Sequence, residues 1–237
     1  MNDDNIMYIK KIPFLFLALL LSFILPSSLI SQEVKVVRDF NLWTGIELEK
    51  AITKNFTATL EQEIRFKNNA SMINNYFTQA GIEYQINKNF SLGGKYRFIR
   101  NQKQNKSFEN RSRYCFDLRY KGKIRNISFR YRMRYQKEVE SLDLLDQAIP
   151  YEKYFRNKVE IRYTRLMDLT PYISAEIFEL FQLQEYPEFN QARIMAGVKY
   201  TPGRIGSFDL EWGFDRELNS YLPYTFYITK INYSYSF

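Results

Sequence analysis

From Asp39 onward the chain repeats one pattern that few folds can satisfy. Apolar and polar residues alternate at every second position, in segments separated by turn formers. Successive side chains of a β-strand leave opposite faces, so a period of two reads as strand. In the first segment Phe40, Leu42, Thr44, Ile46 and Leu48 share one face, and Asn41, Trp43, Gly45, Glu47 and Glu49 the other. The next sets Phe56, Ala58, Leu60, Ile64 and Phe66 against Thr57, Thr59, Glu61, Glu63 and Arg65. A later one sets Ile127, Phe129, Tyr131, Met133 and Tyr135 against Ser128, Arg130, Arg132, Arg134 and Gln136. A helix through any of these would spread charge round its whole surface.

The connections alternate in length as well. A short set comprises Thr53–Asn55, Asn87–Asn89, Lys123–Asn126, Met167–Thr170 and Pro202–Gly206. A longer set comprises Lys67–Asn75, Asn101–Asn110, Glu138–Tyr154, Gln182–Asn190 and Leu218–Pro223. Outer-membrane barrels have short turns on the periplasmic side and long loops outside. The expected fold is therefore all-β, a transmembrane antiparallel up-and-down β-barrel. Eleven strands are visible, starting near Asp39, Phe56, Tyr76, Phe90, Arg111, Ile127, Phe155, Pro171, Gln191, Ser207 and Tyr224. Single-chain bacterial barrels use even numbers. If the Thr53–Asn55 turn is periplasmic, the strand at Asp39 starts outside and something must carry the chain up to it. The segment Gln32–Val37, with Val34 and Val36 in alternation, supplies a weak first strand, so about twelve strands are expected, with ten as the alternative.

Composition narrows the setting. The chain is 17% aromatic yet 25% charged, and no apolar run after the N-terminus approaches the roughly 20 residues of a membrane helix. A soluble lipocalin-like barrel would turn its apolar side chains inward and carry a smaller aromatic load. Net charge is +8, but Lys and Arg are spread along the strands rather than gathered in a tail or one helix, so no nucleic-acid partner is expected. The partners expected are outer-membrane lipid and, during biogenesis, the barrel-assembly machinery. Aromatics recur near strand ends, as at Phe56 and Phe66 or Phe90 and Phe98, where headgroups meet hydrocarbon. Tyr233, Tyr235 and Phe237 end the chain at two-residue spacing, similar to the signal that outer-membrane assembly machinery reads.

The first segment reads as an address. Lys10 and Lys11 precede the apolar run Ile12–Leu25, which at 1.5 Å per residue spans roughly 21 Å, short of a roughly 30 Å hydrocarbon core. This is a signal peptide cut after Ser31, so residues 1–31 form the leader and 32–237 the barrel. Translation starts at Met1 or Met7.

Four pieces stand out together: Asp39-Phe-Asn-Leu-Trp43, the Lys54-Asn55-Phe56 turn, the pair Glu63 and Arg65, and the terminal Tyr-Ser-Phe237. With them the pattern as a whole resembles the family of domain of unknown function 2490, secreted barrel proteins common in Bacteroidota. The resemblance implies a fold and a location and brings no catalytic motif.

The chemistry points away from catalysis. Outer-membrane lipases, acyltransferases, deacylases and proteases in barrels of this size generally use a histidine base, and this chain has no His. Paired carboxylates such as Glu61 and Glu63 facing arginines read as salt bridges rather than an acid–base pair. No phosphate-binding glycine loop, zinc spacing or calcium loop is visible, and no metal or cofactor is expected. The lone Cys115 reads as an inert filler.

What stands out is the charge of the inward face. Lys95, Arg97, Arg113, Arg119, Arg130, Arg132, Arg134, Arg156, Lys158 and Arg162 form a basic arc. Glu47, Glu49, Glu61, Glu63, Glu83, Asp209, Glu211 and Asp215 make the rest of the wall acidic. The leading expectation is a non-enzymatic outer-membrane barrel whose lumen is filled by an Arg–Glu network. A narrow anion-preferring porin for small acidic solutes or oligosaccharides is the alternative, resembling the twelve-stranded oligogalacturonate-type porins. Surface adhesion through the Glu138–Tyr154 loop is a third.

Overall fold

The computed structural model describes residues 37–103, 105–140, 152–181, 188–203 and 205–237. The leader, residues 32–36 of the expected first strand and the centre of the Glu138–Tyr154 loop lie outside them. Among the described residues eleven strands form one closed barrel. They are β1 (Val37–Ala51), β2 (Phe56–Lys67), β3 (Met72–Gln85), β4 (Phe90–Gln102), β5 (Phe108–Ile124) and β6 (Ile127–Glu140). Then come β7 (Glu152–Tyr163), β8 (Leu169–Phe181), β9 (Glu188–Tyr200), β10 (Ser207–Glu217) and β11 (Tyr224–Ser236). At about 4.8 Å between strands and about 40° of tilt, eleven staves give a backbone diameter of roughly 22 Å.

The count corrects the expectation of about twelve. Consecutive strands pair antiparallel, and the ring closes through a parallel pairing of β1 with β11, from Val37 opposite Tyr224 to Glu49 opposite Ser236. An odd number of staves in up-and-down order must leave one neighbouring pair parallel. Every strand then has two partners, so no edge remains for a twelfth. Val37 opens β1, and β1 runs from the long-loop end towards the short turns, as β11 does.

Two of the expected long loops are tight turns. β3 starts at Met72 and β5 at Phe108, so most of Lys67–Asn75 and part of Asn101–Asn110 is strand. Between β2 and β3 the chain reverses through Asn68, Asn69 and Ala70, all left-handed at φ 54°, 55° and 59°. The Asp39 carboxylate holds that turn by accepting the N–H groups of Asn68 (3.0 Å) and Asn69 (2.8 Å). Asparagine tolerates this backbone region better than most residues, which is why an Asn pair can reverse the chain so sharply.

The barrel is inside-out relative to a soluble one. Among the described residues nineteen polar or charged side chains are buried, against eight apolar ones. Phe116, Trp212, Ile82 and Leu210 instead point outward from mid-strand and are more than half exposed. Crowding inside is severe enough to require glycine locally. A Cβ on Gly213 would stand 2.0 Å from the Ile194 carbonyl oxygen and 2.8 Å from Met195 Sδ. Gly197 likewise makes room for the ring of Tyr172, its partner on β8.

Candidate functional site

The pleat carries all eighteen of the sequence-derived lumen charges inward, interleaved rather than segregated. Asp117, Glu138 and Glu160 stand within the arc read as basic, with Glu176 at its border on β8, and Arg65, Arg193 and Lys230 stand within the acidic remainder. That corrects the picture of two opposed arcs. Burying a wall of one charge would be costly, and placing carboxylates between the guanidinium groups removes the cost.

Local pairing follows the pleat. Residues at i and i+2 share a face about 7 Å apart, within reach of a long side chain. Three strands use this in four pairs: Arg65 meets Glu63 at 2.6 Å, and Arg111 meets Glu109, Arg119 meets Asp117 and Arg162 meets Glu160, each at 2.5 Å. Cross-strand bonds extend the pairs. Asp117 takes Arg134 bidentately, at 2.5 Å from Nε and 2.8 Å from Nη2. Glu138 takes Arg113 at 2.5 Å and Arg111 at 3.3 Å. Glu83 accepts from Arg119 and from Ser91, and Glu63 also meets Lys230 at 3.1 Å. Glu61 is reached by Gln79 at 2.6 Å, and Gln79 in turn accepts from Arg97 at 2.9 Å. Lys158 and Arg130 approach Glu160 at 3.5 and 3.8 Å. Asp209 accepts from the Tyr172 hydroxyl at 2.5 Å, and Asp215 takes Arg193 at 2.5 Å.

Glu176 is the hub. Its Oε1 accepts from Arg132 at 2.5 Å and from Arg156 at 2.9 Å, and its Oε2 lies 4.0 Å from Arg193. Three guanidinium groups from β6, β7 and β9 therefore converge on one buried carboxylate of β8. Aromatic rings fill the spaces between the cations. Arg65 lies 3.9 Å from the Trp43 ring centre, Arg97 lies 3.5 Å from that of Phe77 and Arg156 lies 4.2 Å from that of Phe178. Arg193 stands between Trp43 at 5.1 Å and Phe178 at 5.0 Å. Planar guanidinium groups pack on ring faces while their edges still donate to carboxylates, which fills volume without stranding charge.

The result is a lumen in three chambers. A chamber of about 800 Å³ lies at the long-loop end beside β1, β10 and β11, one of about 520 Å³ runs beside it from the long-loop ends of β3 to β7, at Asn75, Asn101 and Glu152, down to the centre, and another of about 520 Å³ opens towards the short turns. Trp43, Arg65 and Arg193 border both the first and the second, so they form the partition between them. Glu47, Lys95, Arg132 and Lys158 border both the second and the third. Glu176 binds one cation of each partition.

Among the described residues Glu47, Glu49, Lys95 and Glu211 make no ion pair, and no group of three metal-ligating side chains converges. Cys115 is buried and unpaired in a disulfide. The sequence reading missed Glu176, Asp117, Glu138, Glu160, Arg193, Lys230 and the rings of Phe77 and Phe178. Period two would have found most of them, because Asp117 and Glu160 each precede a named arginine by two positions.

A family sequence model, described as Protein of unknown function (DUF2490), matches residues 40–214. The chain belongs to that family. Its match runs from Phe40 in β1 to Phe214 in β10, so it takes in both partitions of this DUF2490 barrel and stops short of β11. No curated protein and no solved structure matches the chain.

Proposed function

We propose that this DUF2490 protein is a non-enzymatic outer-membrane barrel whose lumen is sealed by its salt-bridge and Arg–aromatic network, so that it works through its exposed ends and not as a pore. The observation that carries this reading is the layer Glu47–Lys95–Arg132–Lys158, which stands between the chamber reaching the long-loop end and the one at the short turns, with Trp43–Arg65–Arg193 dividing the long-loop end. The membrane setting is supported by the inverted polarity, since an apolar belt of this extent in water would drive aggregation. Strand length supports it too. The strands have 11 to 17 residues, and about 9–11 suffice to cross a bilayer. Residues 1–31 act as an export leader in this reading, and β11 carries the assembly signal Tyr233, Tyr235 and Phe237.

A narrow anion-preferring channel is the second reading. It is favoured by Lys95, which faces the central chamber with no ion-pair partner. Against it, the arginines nearby are each already engaged by a carboxylate or amide.

The direction of β1 gives a topological test. β1 starts at the long-loop end, so an epitope placed directly before Val37 should be stained by antibody on intact cells. An epitope inserted in the Asn87–Asn89 turn should be stained only after the outer membrane is opened. The reverse pattern would mean that the barrel is inserted the other way up, or lies in another membrane.

A further inference from the structure

We propose that the rim of short turns is a binding surface for the headgroups of anionic phospholipids, an inference that rests on the outer-membrane reading above. Four of the five short turns carry an exposed cation: Lys54, Lys88, then Lys123 and Arg125 together, then Arg165. Lys199 flanks the fifth. None has an ion-pair partner among the described residues, and Asp168 is the only carboxylate side chain within the described parts of these turns. At the opposite end carboxylates stand among the cations, as Glu109 does beside Lys103 at 3.0 Å, although Arg38, Lys106 and Arg216 are exposed there too.

A second observation separates a lipid surface from any soluble acidic partner. Every short turn also exposes a large apolar side chain: Ile52 at 60%, Ile86, Ile124 at 66%, Met167 at 99% and Ile205 at 64%. Residues that stayed in water would gain nothing from these, whereas at the headgroup boundary each sinks into the acyl region while its neighbouring cation reaches a phosphate. The aromatic pairs Phe56–Tyr84, Phe90–Tyr120 and Phe208–Tyr233 lie just behind the rim, with ring centres 5.0, 5.1 and 5.0 Å apart. Amphipathic rings favour that same interfacial depth. Apolar tip, cation and ring therefore recur round the end of the barrel in the order in which a leaflet would meet them. Phosphate is the anion placed at that depth, and several cations acting together make the binding sensitive to salt.

The test refolds the full mature chain with equal amounts of phosphatidylcholine vesicles and of vesicles containing phosphatidylglycerol, then separates the two populations. Heat-modifiable gel mobility measures the inserted barrel in each. The wild type should favour the anionic vesicles by about fivefold or more at low salt, a preference that fades as salt rises. The variant Lys54→Gln/Lys88→Gln/Lys123→Gln/Arg125→Gln should insert into both at near parity. Equal insertion of the wild type, a preference indifferent to salt, or a preference that survives in the variant would each overturn the proposal. Should the variant fail to fold, the salt titration of the wild type decides alone. Insertion of the wild type into neither population would overturn the outer-membrane reading itself, and this inference with it.

Discussion

Glu176→Gln should destabilise the barrel more than any other single change in the lumen, by about 3–5 kcal/mol. The substitution preserves shape and removes only charge, so its effect isolates the hub. Arg132 and Arg156 lose their charge-assisted bonds to Oε1, and Arg193 keeps only Asp215. Leaving buried guanidinium groups without a counter-charge costs far more than the ion pairs are worth relative to an apolar core. The readout is the temperature at which the folded, fast-migrating band converts to the unfolded one in detergent. A comparison at Glu152, an exposed carboxylate at the outer end of β7, calibrates it, since exposed ion pairs contribute about 0–1 kcal/mol. If Glu176→Gln and Glu152→Gln melt alike, the hub assignment fails.

The second large effect is a gain of function. Arg132 belongs to the layer that separates the chambers of the two ends, and Trp43 to the one that divides the long-loop end, so Trp43→Ala should remain closed to ions and Arg132→Ala should conduct weakly. The double variant should conduct. Trp43 supplies the ring that Arg65 and Arg193 flank in the outer partition, and Arg132 is the guanidinium that Glu176 holds in the inner one. Opening both layers widens one path, so the double variant should conduct more than the two single variants added together, a non-additivity that packing losses at two distant sites would not show. Conductance in Trp43→Ala equal to that of the pair would mean that the layer at Arg132 is no barrier.

Much of this was readable in advance because a strand's two faces are fixed by the pleat alone. Once Phe40, Leu42 and Ile46 were assigned outward, Trp43, Glu47 and Glu49 had to lie inward, and the same parity carried Arg130, Arg132 and Arg134 into the lumen. The closure was not readable. An even strand count is the rule for single-chain outer-membrane barrels, and nothing in the local sequence of β1 or β11 announces that they will pair in parallel. The pairing joins residues nearly two hundred positions apart, such as Val37 and Tyr224. Asn-rich sequence serves loops and tight turns alike, so Lys67–Asn75 reads as a loop where the chain reverses at Asn68–Ala70. Glu176 was hidden for another reason. Its inward neighbours on β8 are Ser174 and Phe178, so its face does not read as charged. Only the convergence of β6, β7 and β9 on it gives it a role. The partitions are hidden for the same cause, since Trp43, Arg65 and Arg193 come from three strands whose relative height is set by register.

The central claim, that the lumen is sealed, is tested most directly by single-channel recording of the purified wild-type barrel in a planar bilayer. The Trp43→Ala/Arg132→Ala variant shows in the same apparatus that inserted protein can be detected. The wild type should insert without discrete current steps across the range of voltage at which the double variant conducts. Reproducible steps from the wild type, above all anion-selective ones, would contradict the account and favour the channel in its place.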